Sequence, residues 1–374
     1  MAKLAVYTIA KNEIQFLDNW IQNMLPADYI VVLDTGSTDS TYERLLEWQS
    51  KYPEKIIAGQ KTYENWRFDV ARNDNLDMCP EDTDIYISID LDEKMTPEDK
   101  WVDMIKAKWV PGVTQRGSYL YTWSFTESGK PGRVFWYNKL HDKHWRWFAP
   151  VHELLKSTET NSEHYDYNVS VTIEGLMLEH HPDRTKSRGN YLPLLELRKK
   201  ENPDDWYGLI YLAHEYNYRG KYQESIDQLK EILERYAGHY NSLDQASCYL
   251  FMGDDYMQLK MPWMATEAYW NAVLLDPTYR EGWLGYAKAC MELGLYDMAR
   301  SSVIEGLRKS KRHYSWLERD SSWSYEPDDL LCQIEWKLGD YEASYRHSLK
   351  ALEYEPENER LISNMEICKA QYLK

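Results

Sequence analysis

The sequence has little cysteine and no segment apolar enough to cross a membrane. Its five cysteines are widely spaced and no CxxC pair occurs, so the sequence indicates neither a zinc site nor a disulfide framework. No run reaches the roughly 18 apolar residues that a membrane span requires. The first residues, MAKLAVYTIAKNE, run straight into a strand pattern and show no signal peptide. Together these absences predict a cytoplasmic protein with reduced thiols.

Basic residues are also in deficit. The 44 lysines and arginines stand against 61 aspartates and glutamates, which gives a formal net charge of −17. Proteins that bind polyanions neutralise phosphates with lysine and arginine, so this balance disfavours a nucleic-acid acceptor, although basic runs at 184–200 and 308–312 do not exclude one. Neither GxGxxG nor GxxxxGK[ST] occurs, which argues against a dinucleotide-binding fold and against a P-loop.

The first half of the chain alternates between strand and helix patterns. The patterns predict strands at 4–9, 29–33, 55–58 and 84–89 and helices at 14–25, from 38 and at 67–78; the sequence TPED at 96–99 predicts another helix start. This α/β alternation predicts a mostly parallel sheet that is covered on both faces and binds ligands beyond the C-terminal ends of its strands. Short aromatic segments between 118 and 178 predict antiparallel strands that complete the domain.

From Trp206 onward the sequence repeats itself. Gly-x-Tyr recurs at Gly220, Gly294 and Gly339, and one step between matching positions is 34 residues, the period of a tetratricopeptide repeat. The pattern predicts an all-α solenoid, with an ordinary helical bundle as the alternative, and a solenoid groove suits an extended peptide. The predicted division is an α/β domain at 1–182, a connector at 183–202 and helical repeats at 203–374, with insertions near 236–245 and 310–322.

Acidic residues follow two of the predicted strands. Asp34 ends the second strand, and Asp90 and Asp92 follow the strand at 84–89. Two carboxylates at i and i+2 can reach one hard cation such as Mg²⁺ or Mn²⁺, which also accepts phosphate oxygens. Asp34 can accept a hydrogen bond from a nucleobase N–H or a ribose hydroxyl. Acidic turns and helix caps are the simpler explanation of each motif taken alone.

A basic residue and a His-Glu pair extend the candidate site. Arg72, on a predicted helix, could face a base or a phosphate, or could form a surface ion pair. His152 can bind a metal through its neutral imidazole, and the Glu153 carboxylate beside it can act as a general base. Such a pair is more often structural when it occurs alone.

A second basic segment closes the predicted α/β domain. Lys186 and Arg188 could clamp a diphosphate, and the pair His180 and His181 before them could line the site. A solvated linker is the alternative for this segment.

Taken in order, these segments resemble the family 2 glycosyltransferases with the GT-A fold, a Rossmann-like nucleotide-diphospho-sugar transferase fold. The most similar members are bacterial and phage-type enzymes with C-terminal tetratricopeptide repeats, among them peptide S-glycosyltransferases. The resemblance extends over nearly the whole chain and rests on IAKNE at 9–13, VLDTGSTDST at 32–41, FDVARN at 68–73, IDLDE at 89–93, PVHE at 150–153 and HHPDRTKSR at 180–188.

The resemblance implies a metal-dependent, inverting hexosyltransferase that uses a nucleotide diphospho-sugar, usually a UDP-sugar, with Mg²⁺ or Mn²⁺. It implies that Asp34 and Arg72 contact the nucleotide. Asp90 and Asp92 would bind the metal and the diphosphate, with Asp92 as the direct ligand. His152 would be a further site or metal residue.

The base and the acceptor are less well defined by the sequence. Glu153 is the candidate base, with Asp142 and Glu127 as rivals. The acceptor is expected to be a peptide or protein bound by the repeats, and exposed Trp and Tyr on the repeats could equally serve a homodimer. A non-catalytic repeat adaptor with a degenerate transferase domain is the alternative function. A sugar nucleotidylyltransferase is a weaker one, because the residues after the first strand, at 10–13, are AKNE and not a glycine-rich basic loop.

Overall fold

The computed structural model of the chain describes residues 2–126, 129–159, 169–183, 191–236, 238 and 241–373. Contacts divide the chain into two compact units. The α/β unit comprises Met1–Ser124 and Val134–Arg198, and the helical unit comprises Phe125–Arg133 and Lys199–Lys374. In the described part of the chain, no helix is both long and apolar enough to span a membrane.

Strands and helices alternate in the α/β unit up to residue 88, and most of the later strands follow one another directly. The strands are β1 (Leu4–Ala10), β2 (Tyr29–Asp34), β3 (Ile56–Gln60), β4 (Ile85–Ser88), β5 (Glu93–Thr96), β6 (Arg116–Thr122), β7 (Val134–His141), β8 (Trp145–Phe148), β9 (Leu154–Ser157) and β10 (Ser170–His180). The helices are α1 (Ile14–Met24), α2 (Thr41–Lys51), α3 (Phe68–Leu76), α4 (Trp101–Lys108) and α5 (Tyr191–Glu201).

The main sheet is mixed. Its strand order is β3-β2-β1-β4-β7-β6-β10-β5, and β8 and β9 form a separate antiparallel pair. Strands β1 to β4 are parallel to one another, whereas β7 runs antiparallel to both β4 and β6. The chain moves outward from β1 to β3 and then returns to place β4 on the other side of β1. A crevice at such a reversal is the usual ligand site of an open α/β sheet.

Both faces of the sheet are covered, because side chains on a strand point alternately to opposite faces. Leu4 and Val6 of β1 pack in a core with the buried residues of α1, such as Trp20. Ala5 and Tyr7 belong to a second core on the other face, with Leu76 of α3 and the two Trp residues of β8. The fully buried pattern of β1 therefore reflects a strand that is sandwiched between two layers.

One predicted helix start is wrong. Residues 93–96 form strand β5, which pairs antiparallel with β10, and the next helix begins at Trp101 and not at Thr96. The pairing joins Glu93 with His180 and Met95 with Leu178. The backbone of residues 93–96 makes its hydrogen bonds with the distant strand β10, and this pairing outweighs the local preference for a helix start.

The helical unit consists of consecutive helix pairs. Its helices are α6 (Trp206–Tyr218), α7 (Tyr222–Arg235), α8 (Ser242–Gln258), α9 (Pro262–Leu275), α10 (Arg280–Glu292), α11 (Tyr296–Lys309), α12 (Glu326–Leu338), α13 (Tyr341–Tyr354) and α14 (Glu359–Tyr372). Each helix packs on the next, and α8 also contacts α10, which contacts α12. The first helices of the pairs thus form a continuous layer.

The recurring Gly-x-Tyr motif marks the turn inside a helix pair. Gly220, Gly294 and Gly339 follow α6, α10 and α12 with φ angles of 73°, 74° and 86°, the left-handed conformation in which a helix commonly ends. The tyrosine two residues later begins the second helix of each pair. The pair α8–α9 lacks the motif, and Lys260 occupies the glycine position with φ 60°.

This exception gives a stability prediction. A side chain in the left-handed region costs roughly 1 kcal/mol, which glycine avoids. We expect Lys260→Gly to raise the free energy of unfolding by about 1 kcal/mol, measured by urea denaturation. Lys221→Gly is the control, because Lys221 has φ −87° and lies beside Gly220. An equal gain in both variants would refute the conformational explanation.

Candidate functional site

Arg72 is the centre of the candidate site. It lies on α3 beside the end of β4, where the strand order reverses. Its Nη1 donates to Ser88 Oγ at 2.9 Å and to Asp90 Oδ1 at 2.8 Å, and its Nη2 donates to Asp90 Oδ2 at 3.1 Å. Its Nε donates to Glu153 Oε1. The guanidinium also faces the Trp147 ring at 5.3 Å. Arg72 is therefore not a surface ion pair, because it joins α3, β4 and the segment after β8 in the interior.

The charges around Arg72 are arranged as a buried network. Burial would lower the pKa of Arg72, but the charges of Asp90 and Glu153 outweigh it and raise the pKa. Burial would raise the pKa of Asp90, but Arg72 and Lys139 hold it below its usual range. Lys139 Nζ lies 3.5 Å from Asp90 Oδ2. Asp90 thus holds two cations in place, and both of its carboxylate oxygens are engaged.

Glu93 extends this network towards β5. Its Oε2 accepts a hydrogen bond from the Asp90 backbone N–H at 2.8 Å, which fixes the turn that carries the Asp-x-Asp motif. Burial raises the pKa of Glu93, and the charge of Asp90 adds to the effect. The motif therefore stands on a turn that a buried carboxyl group organises.

Asp92 lies beside a histidine at the end of β10. Asp92 Oδ2 is 3.4 Å from His180 Nε2, and the Asp92 carbonyl accepts from the His181 N–H at 2.7 Å. His180 Nδ1 lies 3.1 Å from the Trp123 carbonyl and therefore carries a proton that it donates. Burial would lower the pKa of His180, but the hydrogen bond with Asp92 and the nearby negative charges raise it. The geometry brings together a carboxylate oxygen and an imidazole nitrogen.

The proximity of His180 to Asp92 is not predicted from the sequence, because it depends on strand β5. The pairing of β5 with β10 puts His180 opposite Glu93, one residue from Asp92. The motif HHPDRTKSR contains His180, but the sequence predicts a helix start where its partner strand lies. Apolar residues before His180, such as Ile173, Leu176 and Leu178, do predict a strand, but nothing in residues 93–96 marks its partner.

Asp34 is fully buried and satisfied within its own loop. Its Oδ1 accepts from the N–H groups of Gly36 and Ser37 and from Gln60 Nε2, each at 3.0 Å, and Ser37 Oγ donates to Oδ2. Asn12, from the loop after β1, accepts from the Thr38 N–H at 2.7 Å. Asp34 thus organises the loop after β2, and Asn12 ties that loop to the loop after β1.

The segment after β8 holds the predicted His-Glu pair. Glu153 is in the ion pair with Arg72, while the His152 ring lies 5.5 Å from the Tyr191 ring. Arg198, which is buried, donates from Nη1 to the carbonyls of Val151 and His152 at 2.9 and 2.6 Å. These bonds fix the backbone at His152, where φ is 48°.

Three predicted residues lie outside the described part of the chain: Lys186, Arg188 and Glu127. The remaining rival for the base, Asp142, accepts hydrogen bonds from His144, at 2.9 Å from the backbone N–H and at 2.7 Å from Nδ1. Asp142 is therefore engaged in a local turn.

The donor set fits a cation only if a substrate completes it. Within the ranges that the structure describes, no group of three His, Cys, Asp or Glu side chains could hold a metal ion by itself. Asp92 and His180 supply two donors. Cations that act on phosphates are often held by one or two protein ligands together with phosphate oxygens and water. The pair fits that arrangement, and the imidazole nitrogen favours Mn²⁺ over Mg²⁺.

A row of aromatic rings adjoins the site and was not predicted as functional. Trp66 lies 5.7 Å from Tyr63 and 5.0 Å from Phe68, and Phe68 lies 6.3 Å from Tyr191, with ring planes close to perpendicular. The Phe68 N–H donates to the Pro150 carbonyl at 3.0 Å, so the row is fixed beside the segment that carries Glu153.

A buried histidine supports the same face of the sheet. Trp147 Nε1 donates to the Tyr7 hydroxyl at 2.8 Å, and that hydroxyl lies 2.7 Å from His141 Nε2. His141 Nδ1 lies 2.6 Å from the Asp142 carbonyl, so Nδ1 carries the proton and Nε2 accepts from Tyr7. Burial lowers the pKa of His141 to about 3, so the ring is neutral in the folded protein.

The layer of first helices in the helical unit is partly filled by the chain itself. Trp316, in the predicted insertion, stacks on Tyr211 of α6 at 5.1 Å. Arg319 forms an ion pair with Asp254 of α8, and the buried Leu317 accepts from the Tyr279 hydroxyl at 2.9 Å. This insertion therefore occupies a surface that a repeat groove would otherwise offer to a peptide.

Comparison with solved structures finds tetratricopeptide repeat proteins that cover about half of the chain. The chain is similar to a thermophilic tetratricopeptide protein of Thermus thermophilus, with 20% identity, 48% of this chain and 89% of that chain covered, and a TM-score of 0.38. It is also similar to a tetratricopeptide repeat protein from Parabacteroides merdae, with 16% identity, 48% of this chain and 65% of that chain covered, and a TM-score of 0.38. A third similar structure is YrrB, a protein described as having an unusual peptide-binding site, with 15% identity, 47% of this chain and 81% of that chain covered, and a TM-score of 0.36.

No protein-family model matches the sequence, and no curated protein matches it either. The structural similarities cover about half of the chain, their TM-scores are low, and they say nothing about what the chain binds. The predicted helical repeats are present in the structure as consecutive helix pairs. The α/β unit contains the mixed sheet, and its GT-A identity stays a prediction.

Proposed function

We propose that this chain is a metal-dependent inverting glycosyltransferase that uses a nucleotide diphospho-sugar, with UDP as the expected nucleotide. The observation that carries the proposal is the pair Asp92 and His180, next to the buried cations Arg72 and Lys139 at the point where the strand order reverses. Such a point is where α/β sheets bind nucleotides, and the pair suits a cation that phosphates help to hold.

The roles follow from the charges of these groups. Asp92 and His180 would hold Mn²⁺ or Mg²⁺, which when bound neutralises the charge of the departing nucleoside diphosphate. Asp90 keeps Arg72 and Lys139 fixed near the diphosphate. Positions fixed before the reaction cost no reorganisation in the transition state.

The acceptor side of the proposed site contains Glu153. A base there would take a proton from an acceptor hydroxyl, thiol or amine, whose heteroatom then attacks the anomeric carbon in a single displacement. Glu153 would first have to exchange part of its ion pair with Arg72 for the acceptor. The acceptor is proposed to be a peptide or protein, supported by the helical repeats and the aromatic row beside Glu153. Because the insertion that contains Trp316 fills part of the repeat surface, the acceptor would bind at another part of the repeats.

Calorimetric titration with UDP, GDP and TDP, with and without Mn²⁺, tests the proposal. We expect UDP to bind in the presence of Mn²⁺, and Asp92→Asn to weaken binding at least tenfold. Bound ligand should raise the melting temperature of the wild type, by an amount equivalent to about 2.7 kcal/mol at a ligand concentration of 100 times Kd. Asp103→Asn, an exposed acid on α4, is the matched control and should leave binding unchanged.

Two outcomes would separate the alternatives. If none of the three nucleoside diphosphates binds the wild type, with or without Mn²⁺, the transferase proposal fails and a non-catalytic repeat adaptor becomes the better explanation. If UDP binds equally well to wild type and Asp92→Asn, a nucleotide site exists but Asp92 does not hold its metal.

A further inference from the structure

Helix α9 is apolar on the face that it exposes. Its sequence, PWMATEAYWNAVLL, contains a single charged residue, Glu267. One face packs in the core of the repeats, yet Trp263 is 68% exposed, Leu274 63% and Trp270 42%. A helix at a protein surface normally carries polar residues on its outer face, and a helix that is apolar all round is normally buried. The exposed face of α9 is therefore an interaction surface.

This surface continues onto the next pair of helices. The ring centroids of Trp270 and Trp283 of α10 are 6.1 Å apart, and Lys309 Nζ of α11 lies 5.0 Å from the centroid of the Trp283 ring. Met298 and Ile304 of α11 are also about half exposed. The outer apolar surface comprises Trp263, Met264, Trp270, Leu274, Leu275, Met298 and Ile304.

The size of the surface matches a stable protein interface. With accessible areas of roughly 150–250 Å² for each large side chain, the exposed fractions leave about 700 Å² of apolar surface. A standard interface buries about 800 Å² on each partner, while the largest apolar patch of a monomer is about 300–600 Å². The outer apolar surface is thus large enough for a dimer.

A pocket lies on the same face, beside α9. Its volume is about 350 Å³. It is enclosed by α7, α8 and α9, and its apolar lining is contributed by Leu233, Tyr249, Met252, Tyr256, Met264 and Ala268. An indole ring fits within this volume, and large aromatic side chains that fill such pockets dominate the energy of many interfaces. One face therefore presents both a projecting indole, Trp263, and a pocket that can receive one.

The charges favour a second copy of this chain as the occupant. A two-fold interface requires that a surface be complementary to itself. The pocket rim carries Lys230 together with Glu234 and Glu267, so charges of both signs are available for pairing with the same rim rotated. The chain has a net charge of −17, and a contact through α9, which carries one charged residue, brings fewer like charges close together than a contact through a charged face.

We propose that two copies of this chain form a two-fold dimer through α9, with Trp263 of each copy entering the pocket of the other. This proposal does not depend on the proposed function. Sedimentation velocity at micromolar concentrations is expected to give a dimer for the wild type and a monomer for Trp263→Glu. Glutamate in the first turn of α9 interacts favourably with the helix dipole, so the helix should remain intact. Tyr218→Glu, at a site 70% exposed on α6, is the control and should stay dimeric.

A second variant tests the pocket. Asn271→Arg places a long side chain in the lining of the pocket, and we expect this variant to be monomeric as well. A mixture of Trp263→Glu and Asn271→Arg should recover heterodimers, because the indole of one variant can enter the intact pocket of the other. A wild type that stays monomeric even at much higher concentrations would overturn the proposal and assign the surface to another protein. Dimers that persist in both single variants, or a mixture without heterodimers, would overturn it too.

Discussion

Replacing Arg72 with methionine is expected to lower the free energy of unfolding by about 3–5 kcal/mol, since removing one partner of a buried ion pair leaves the others uncompensated. Arg72 is almost fully buried and lies between Asp90 and Glu153. Methionine replaces the apolar part of the side chain, so most of the loss comes from two carboxylates that have lost their shared cation. Lys139 can compensate Asp90 only in part, from 3.5 Å.

Denaturation in urea measures this loss of stability. A control variant and a double variant show whether it comes from the buried ion pairs. Arg44→Met removes a cation from an exposed ion pair with Asp18 and is expected to change the free energy of unfolding very little, because water screens such pairs. The double variant Arg72→Met with Asp90→Asn should regain part of the stability, because one of the uncompensated charges is then absent. If Arg72→Met costs as little as Arg44→Met, the network around Arg72 does not contribute to folding as inferred.

Acid is expected to destabilise the fold through His141. The ordinary pKa of histidine is 6.5, whereas burial lowers the pKa of His141 to about 3. Above pH 6.5 the ring is neutral in both states. Below pH 6.5 the unfolded chain takes up a proton that the folded protein does not. The free energy of unfolding therefore decreases as the pH is lowered from 6.5 to about 3. Over this range, protonation of His141 in the unfolded chain lowers the free energy of unfolding by up to about 4–5 kcal/mol.

The difference in unfolding free energy between wild type and His141→Gln, measured from pH 7.5 to pH 4, isolates this effect. Glutamine can bond to Tyr7 and to the Asp142 carbonyl but does not titrate, so its variant should lose less stability in acid. Asp255 and Glu281, whose burial raises their pKa to about 6 and about 7, act in the opposite direction but are common to both proteins. Parallel curves for wild type and His141→Gln would contradict a neutral His141 in the fold.

The parallel part of the sheet and the helix pairs could be predicted from the sequence because their signals are local. Strand β1 is apolar apart from Thr8, as expected for a strand covered on both faces. The Gly-x-Tyr motif joins a helix end to a helix start within three residues. Strand β5 could not be predicted in this way, because the sequence EKMT has no strand signal and is held by its pairing with β10.

The candidate site shows the same limit. Asp90, Asp92, Arg72 and Glu153 can be chosen from the sequence, and the structure gathers them around the end of β4. What the sequence leaves open is the direction of each side chain. The sequence alone is equally consistent with an Arg72 that faces a ligand and with one in a surface ion pair. Only the fold shows that Ser88, Asp90 and Glu153 all lie within hydrogen-bond distance of its guanidinium. The role of His180 depends on the strand that the sequence pattern misses.

The segment Phe125–Arg133 belongs to the helical unit, and this affects how the two units separate after proteolysis. The polypeptide passes from one unit to the other after Ser124, after Arg133 and after Arg198. A protease that cuts only after Arg198 would leave Phe125–Arg133 in the first fragment, although its neighbours, such as Arg312 and Asp320, lie in the second. Neither unit is a continuous piece of sequence, so a nicked chain should migrate as one particle under native conditions and as two fragments in denaturant.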